Sequence, residues 1–530
     1  MQKNPIFSGR SQARFWLGVV LMQALLLVPV SGTRVIYLSP EGHDGWSGQF
    51  AEPLPDGTDG PLATIYRARE LVRERLAADD REQEPQIISF RAGTYRITST
   101  LDLTAAESGR GAVDLVWQAY PGEAVILSGG TSLEGFRRLS ETDIAFPVPA
   151  RLRERIHVIN LKEQGIEYPR QLARRVRYEV GDPGPVQLYF KDQLMTPARY
   201  PNDGWLTVAG VPQGDGEPLH PGHHADRRDG QVPTGRHYGS IEYKGDRPSG
   251  WGPRRDIWVH GYWTWDWADS TQRVDRIEAD KRILHLAGPH HRYGYTTGQR
   301  FYFFNVPEEL DAPGEWYLDR ESGNLFFRPP NDVLNGPIVL ATNPETLVRI
   351  DGARNILFKG LTFAHGRGAA FEITGSENVV IEGCRFHCLG GRPVTIEDGV
   401  SCGVRGSSFT ELSTGAVTLD GGDRMTLEPG RHFVENNHIH DFAKVYRTNH
   451  PAIRLRGVGQ RAANNLIHDA PHMGMYFIGN DHLIEYNEIH DIARETGDVG
   501  AIYTGRDYTS RGTVIRYNYL HHLHGPGLHG

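Results

Sequence analysis

Cysteine is nearly absent. The 530 residues include three, Cys384, Cys388 and Cys402, and an odd number in one short stretch is no disulfide framework. A basic surplus is missing as well: Lys and Arg number 57 against 65 Asp and Glu, a formal charge of −8, whereas a nucleic-acid binder ordinarily shows a basic excess or patch. Beyond the N-terminus no apolar run is long enough to cross a bilayer. Glycine, by contrast, is plentiful at 62 residues, well above a usual share of about 7%, so the chain turns often. A hydrophobic content of 38% with 10% aromatics supports a large core and excludes wholesale disorder.

The N-terminus reads as a secretory signal over residues 1–32. Lys3, Arg10 and Arg14 precede an apolar run from Phe15 to Val30, which meets the small residues Ser31, Gly32 and Thr33. As a helix that run rises only about 24 Å, short of a hydrocarbon core of about 30 Å. The mature chain is therefore expected outside the cytoplasm, secreted or periplasmic, with no membrane attachment after cleavage. Stability there has to come from architecture, since disulfides are not on offer.

Residues 33–135 predict an N-terminal cap and the first coils of a solenoid. Val35 to Leu38 reads as a strand; Pro61 suits a helix start, and Ile65, Ala68, Val72 and Leu76 share one helical face. Short β-rich runs follow at Ile87 to Phe90, Tyr95 to Ile97, Leu115 to Trp117 and Ala124 to Leu127. Between 136 and 344 the texture turns to aromatics and proline, an inserted antiparallel β domain. Within it Glu315 to Asp319 and Gly323 to Phe327 read as a hairpin. Trp263, Trp265 and Trp267 alternate along an expected strand, where they form either that domain's core or a sugar-stacking face, with core favoured.

Residues 345–530 carry the strongest signal, an internal repeat. Asn355 to Phe363 aligns with Asn378 to Phe386, and the unit recurs at Phe409, Ile439, Ile467, Ile489 and Leu520. Coils of about 22 to 31 residues, each with two or three very short strands and no helix, predict an all-β fold, a right-handed parallel β-helix. Asn437, Asn465, Asn487 and Asn518 fall in matching slots, where amides can bond from coil to coil. The triplet Ile-His-Asp repeats at His440-Asp441, His468-Asp469 and His490-Asp491, a ladder read as structural, with Asx-type turns at the Asp. The last coil begins at Val514 and stops at Gly530 with no cap in view, so the sequence reads as lacking further coils.

Polar groups that break the repeat are the better functional candidates. His450, His472, Asn480, Asp481, Asp498, Tyr503, Arg506 and Asp507 lie just before or after one class of strand in successive coils, and are expected to converge on one face. Such a lining suits an extended carbohydrate. Cleaving a glycosidic bond takes two carboxyl groups, one protonated and one ionised. Asp498, set between Gly497 and Gly500, is the first choice, and Asp507 beside Arg506 the second. His472, Arg506, Tyr503, Asp481, His450 and Asn480 are candidate substrate contacts. No cofactor is expected, and no compact zinc-binding spacing appears.

Several motifs together resemble a known family. They are Tyr37-Leu38-Ser39-Pro40 with Gly42 and Asp44, Gly60 to Thr64, Arg199 to Asn202, Gly261 to Asp269, Ala470 to Gly474 and Gly505-Arg506-Asp507. The chain resembles secreted right-handed β-helix glycoside hydrolases, in particular family 141 with its α-L-fucosidases and xylanases. The resemblance implies an inserted β domain and catalytic aspartates on adjacent coils. The first of these matches Asp498 in Gly-Asp-Val-Gly-Ala-Ile-Tyr; the second falls beyond Gly530. The leading expectation is thus a secreted glycoside hydrolase of complex or plant-type polysaccharide. A calcium-dependent polysaccharide lyase, drawing on Asp481, Asp498 and Asp507, and a non-catalytic carbohydrate-binding scaffold are the alternatives.

Overall fold

The computed structural model describes residues 34–78, 85–108, 115–140, 143, 146–176, 184–212, 219–221, 236–252 and 256–525. The expected signal segment lies outside them. No described helix is long and apolar enough to cross a membrane.

Three parallel sheets of ten, nine and eight strands stack around one core, which is the β-helix anticipated from the repeat. The first sheet runs from Arg34–Leu38 through Arg354–Lys359 and Glu377–Glu382 to Val514–Arg516. The second runs from Gly93–Arg96 to Tyr519–Leu523, and the third from Leu101–Thr104 to Ile502–Tyr503. Each coil visits them in that order. The repeated apolar ends of the sequence are the inward residues of the second sheet, where Phe363, Phe386 and Phe409 stand in register. Their rings stack at 5.4 and 4.6 Å, and all three are fully buried. Burying each contributes about 1.5–3 kcal/mol.

The corner between the first and second sheets explains another periodicity. It needs one residue with positive φ per coil, filled by Gly360, Gly383 and Gly406, then Asn436 and Asn464, and finally Tyr486 and Tyr517. Glycine and asparagine adopt that conformation readily, while tyrosine adopts it only under constraint. The two tyrosine rings stack on each other at 5.1 Å outside the coil. The next residue inward is the asparagine ladder. Asn437 donates to Asn465 at 3.0 Å, Asn465 to Asn487 at 2.9 Å and Asn487 to Asn518 at 2.9 Å.

Helix Ile65–Ala78 covers the first coils. Its start is Thr64 and not Pro61: the Asp44 carboxylate accepts from Ala63 N, Thr64 N and the Thr64 hydroxyl, and Thr64 Oγ1 accepts from Arg67 N. One strand of this region, Leu101–Thr104, was not legible in sequence.

After Val125–Ser128 the chain leaves the solenoid and returns at Val348–Asp351. The strand Gly130–Ser132 pairs antiparallel with Ile338–Ala341, closing the inserted part at its base. The hairpin Glu315–Leu318 and Asn324–Arg328 forms as expected. The tryptophan run does not stay in a strand, which ends at Tyr262. Trp263 is buried against Tyr295 and Phe301, whereas Trp265 and Trp267 stack on each other at 6.1 Å beyond the strand. A polar turn through Thr264 and Asp266, both fully buried, breaks the alternation. Thr264 Oγ1 donates to the Gly294 carbonyl, so the chain bends here to satisfy buried polar groups.

Candidate functional site

The third sheet presents one outward row by register: Asp102, Arg349, Glu372, Thr395, Thr418, Arg454, Tyr476 and Tyr503. At about 4.8 Å per strand, eight strands make a track about 34 Å long. Its first half floors a groove of about 820 Å³, walled by helix residues Tyr66 and Arg69 and by Gly184 of the insertion. Arg367 and Arg392 close the groove on one side. Toward the far end Arg454 sits over the Tyr476 ring at 5.2 Å, and Tyr476 stacks on Tyr503 at 6.3 Å.

The sequence candidates flank this sheet on two edges and do not converge on one face. His450, His472 and Asp498 come from loops entering the third sheet. Asn480, Asp481, Arg506 and Asp507 come from loops leaving it, and Tyr503 lies between. The period is coil-wide, so the sequence showed that these residues neighbour the same strands without showing at which end.

On the entry edge Asp498 is exposed, with φ 47°, and no described residue hydrogen-bonds its carboxylate. His450 and His472 lie beneath the surface at 3% and 1% exposure, so neither ring meets solvent as an open substrate contact. Burial pushes the His450 imidazole well below its ordinary value, and the nearby Arg392 and Arg454 guanidinium groups push the same way. Arg392 is itself driven down to about 9 by burial, with repulsion from Arg454 adding to it.

On the exit edge Asp507 is fully engaged. It accepts from Thr509 N and Oγ1 and from Ser510 Oγ, and Arg424 lies 2.9 Å away. The Thr509 hydroxyl is the largest influence holding its carboxyl down at about 2, so it is an anion at any ordinary pH. Buried Asn480 belongs to the same network: its Oδ1 accepts from Arg424 at 3.0 Å, and its Nδ2 donates to Thr509 O at 2.8 Å. Asp481 is exposed beside Gly512, where a Cβ would collide with its carboxylate. Arg506 is exposed with φ 64°.

Sequence reasoning missed what backs the entry edge. Inserted strand Trp258–Tyr262 and its neighbours pack on loop 441–452 through a buried relay: Tyr302 Oη to His260 Nδ1 at 2.9 Å, His260 Nε2 to Asp269 Oδ2 at 2.8 Å, and the Thr448 hydroxyl donating to Asp269 Oδ1 at 2.5 Å. Burial alone would raise the Asp269 carboxyl, but His260 and Thr448 together hold it below its usual range. Two coils on, Glu495 accepts from Arg447 at 2.5 Å and from the Tyr262 hydroxyl at 3.2 Å, while Arg300 donates to its backbone carbonyl. Tyr262 and Asp269 bound the motif noted for its tryptophans. Its polar members Tyr262 and Asp269 reach the solenoid.

The Ile-His-Asp ladder stands on the second sheet. His440, His468, His490 and then His521 stack at 5.0, 4.7 and 4.7 Å. Each triplet Asp turns with positive φ and accepts from its own histidine, at 2.8, 2.6 and 2.8 Å. Among the described residues two groups have donor atoms close enough to hold a metal ion: Glu488, His490 and His521, and Asp192, His365, His387 and Cys388.

Comparison with known proteins agrees with this architecture. A family model described as right handed beta helix region matches residues 346–446. No curated protein sequence matches the chain. A solved structure titled "Glycoside hydrolase" is similar at a TM-score of 0.69 and 18% identity, over 93% of this chain and 88% of that one. A structure of XylC with xylose is more distant, with a TM-score of 0.45 and 11% identity over 87% of this chain and 62% of that one. The chain is thus a right-handed β-helix protein whose fold, insertion included, is similar to that of a glycoside hydrolase.

Proposed function

We propose that the protein is a glycoside hydrolase of the family 141 kind, secreted, that lays a polysaccharide along the outward face of the third sheet. One observation carries the reading: the polar row ends in the stacked pair Tyr476 and Tyr503, and the loop that leads into strand Ile502–Tyr503 carries the exposed Asp498. The hydroxyls and ring edges of such a pair can pack on and hydrogen-bond a sugar, and an exposed carboxyl on the loop entering that strand is a candidate to act on the linkage. Asp507 follows the strand Ile502–Tyr503 in the chain, so in this reading a saccharide across Tyr503 has one carboxylate before the strand and one after it. Asp507 can serve only as the ionised member, because its hydrogen bonds fix it as an anion. Asp498, the exposed member, is the proposed partner carboxyl. The buried His450 and His472 support the entry loops from behind, and Arg506, Asn480 and Asp481 shape the exit wall.

The test is turnover of fucosylated and xylan-type glycans, read as new reducing ends. Asp498→Asn is expected to abolish cleavage while leaving glycan binding largely intact, and retained turnover overturns the assignment. Loss with Asp507→Asn completes the pair; full activity in that variant leaves Asp507 as a loop anchor.

A polysaccharide lyase is the second reading, favoured by the groove itself. Arg69, Arg349, Arg367 and Arg392 line it, a setting for the carboxylates of a uronate. Absorbance of an unsaturated uronate, in place of hydrolytic ends, decides for that chemistry.

A further inference from the structure

Four side chains from three distant segments meet where the insertion rests on the solenoid. Asp192 sits at the tip of the two-residue hairpin between Leu188–Phe190 and Gln193–Leu194. Lys191 and Asp192 both have positive φ, 51° and 57°, as a type I′ turn requires. That turn plants Asp192 on two successive coils of the second sheet. His365 directly follows strand Thr362–Ala364, and His387 ends strand Arg385–His387 with Cys388 after it. His365, His387 and Cys388 are buried at 6%, 3% and 0% exposure, while Asp192 is exposed and leaves a way in from solvent.

The four already contact one another. His365 Nε2 lies 3.2 Å from Asp192 Oδ1, the Cys388 thiol donates to the Asp192 carbonyl at 3.1 Å, and His387 Nδ1 is 3.4 Å from Cys388 Sγ. One donor atom from each falls within 4.8 Å of all the others. A tetrahedral zinc ion with bonds of about 2.0–2.3 Å needs donors about 3.3–3.8 Å apart, so a contraction of about 1 Å closes the set. The other ring nitrogen of His365 is 3.4 Å from the Ser128 hydroxyl, the kind of outer partner that orients a metal-bound imidazole.

We propose that Asp192, His365, His387 and Cys388 form a structural zinc site that clamps the inserted domain's hairpin to the β-helix. Two imidazoles, a thiolate and a carboxylate are a borderline-soft donor set that favours zinc over calcium or magnesium. Binding displaces the Cys388 thiol proton to solvent and exchanges three weak contacts for four coordinate bonds. Every candidate ligand position is supplied by protein, so the ion holds the fold and leaves the third-sheet groove unchanged.

The other two cysteines make the test specific. Cys384 and Cys402 lie inside the solenoid with thiols bonded to backbone carbonyls, so a cobalt–thiolate signal reports Cys388. Full-length protein, kept reduced with a phosphine and loaded with Zn(II) or Co(II), is expected to retain one ion per chain after dialysis. The cobalt form should show a near-ultraviolet thiolate charge-transfer band and the strong red absorption of tetrahedral coordination. Cys388→Ser is expected to lose the band. Asp192→Asn, on an exposed turn where folding is safe, should bind at least about tenfold more weakly. Bound cobalt without a thiolate band points to Glu488, His490 and His521 and overturns the proposal. Unchanged affinity in folded Asp192→Asn overturns it equally, even where Cys388→Ser fails to fold.

Discussion

Replacing Asn465 by alanine isolates what the asparagine ladder contributes. Asn465 is 1% exposed. Its Oδ1 accepts from Asn437 N at 3.1 Å and Asn437 Nδ2 at 3.0 Å, and its Nδ2 donates to Val434 O and Asn487 Oδ1, both at 2.9 Å. Asn437 Nδ2 retains the Val404 carbonyl, but the Asn437 backbone N–H is left buried with no acceptor. One orphaned donor at about 1–3 kcal/mol and the other lost bonds at about 1 kcal/mol each, partly made good by relaxation, give a cost of about 3–5 kcal/mol. Asn518 makes the same pattern of bonds to Asn487 and to the Ile484 carbonyl, yet it is half-buried and water can replace what alanine removes. Asn518→Ala is therefore expected to cost about 1 kcal/mol or less. Stacked coils need not unfold as one unit. Both variants are accordingly to be read by urea midpoint and by amide exchange at Asn437 and Asn487. Equal destabilisation of the two, or a loss below about 1 kcal/mol for Asn465→Ala, refutes burial as the source of the ladder's strength.

Glu495→Gln weakens the tie between the loop carrying Asp498 and loop 441–452 of the solenoid. It removes the charge that Arg447 faces while keeping an acceptor for Tyr262. Faster hydrogen exchange over 494–501, at a stability cost of about 1–3 kcal/mol, is expected, and unchanged exchange there counts against the tie. Acidification should destabilise the protein. Burial depresses the imidazoles of His432, His450 and His482 below their ordinary value, so the unfolded chain binds more protons once pH falls below about 6.5. Their contribution is complete above that pH and is lost as pH drops toward the depressed values. Melting temperature measured from pH 7.5 to 5 should fall, and His450→Gln should flatten the slope; a flat wild-type profile contradicts the burial.

The solenoid was legible because its period repeats in inward residues, corner residues and the ladder at once. Phe363 with Phe386, Gly383 with Asn436, and Asn437 with Asn465 each mark one position in the coil. The edge on which a polar residue falls was not legible. His472 and Asn480 bracket one strand, Met475–Phe477, and only the strand's direction separates them by its full width. The inserted domain hid its contribution for a different reason. His260, Tyr262 and Asp269 sit among aromatics that make the domain's own core, so their polar role shows only once a second segment arrives opposite. The group at Asp192, His365 and Cys388 is further still from any motif, since its members are 173 and 196 residues apart.

The insertion point governs the geometry of the whole entry edge. The chain departs after Ser128, at the second sheet's end, in the same register as Ala364 and His387 above it. A domain leaving there leans along the loops that join the second sheet to the third. It meets them at Asp192 on the lower coils, at Asp269 against Thr448, and at Tyr262 against Glu495. The contacts climb the solenoid toward Asp498. Asp269→Asn tests whether that climb is mechanical: it removes the charge facing His260, which burial already drives toward neutrality, but keeps an oxygen for Thr448. If the relay only fills space, exchange in loop 441–452 alone should rise. If the insertion acts as one brace, protection should also fall at 494–501, two coils beyond loop 441–452, because the strand that presents Asp269 pairs through Ser270 and Gly261 to the strand that ends at Tyr262.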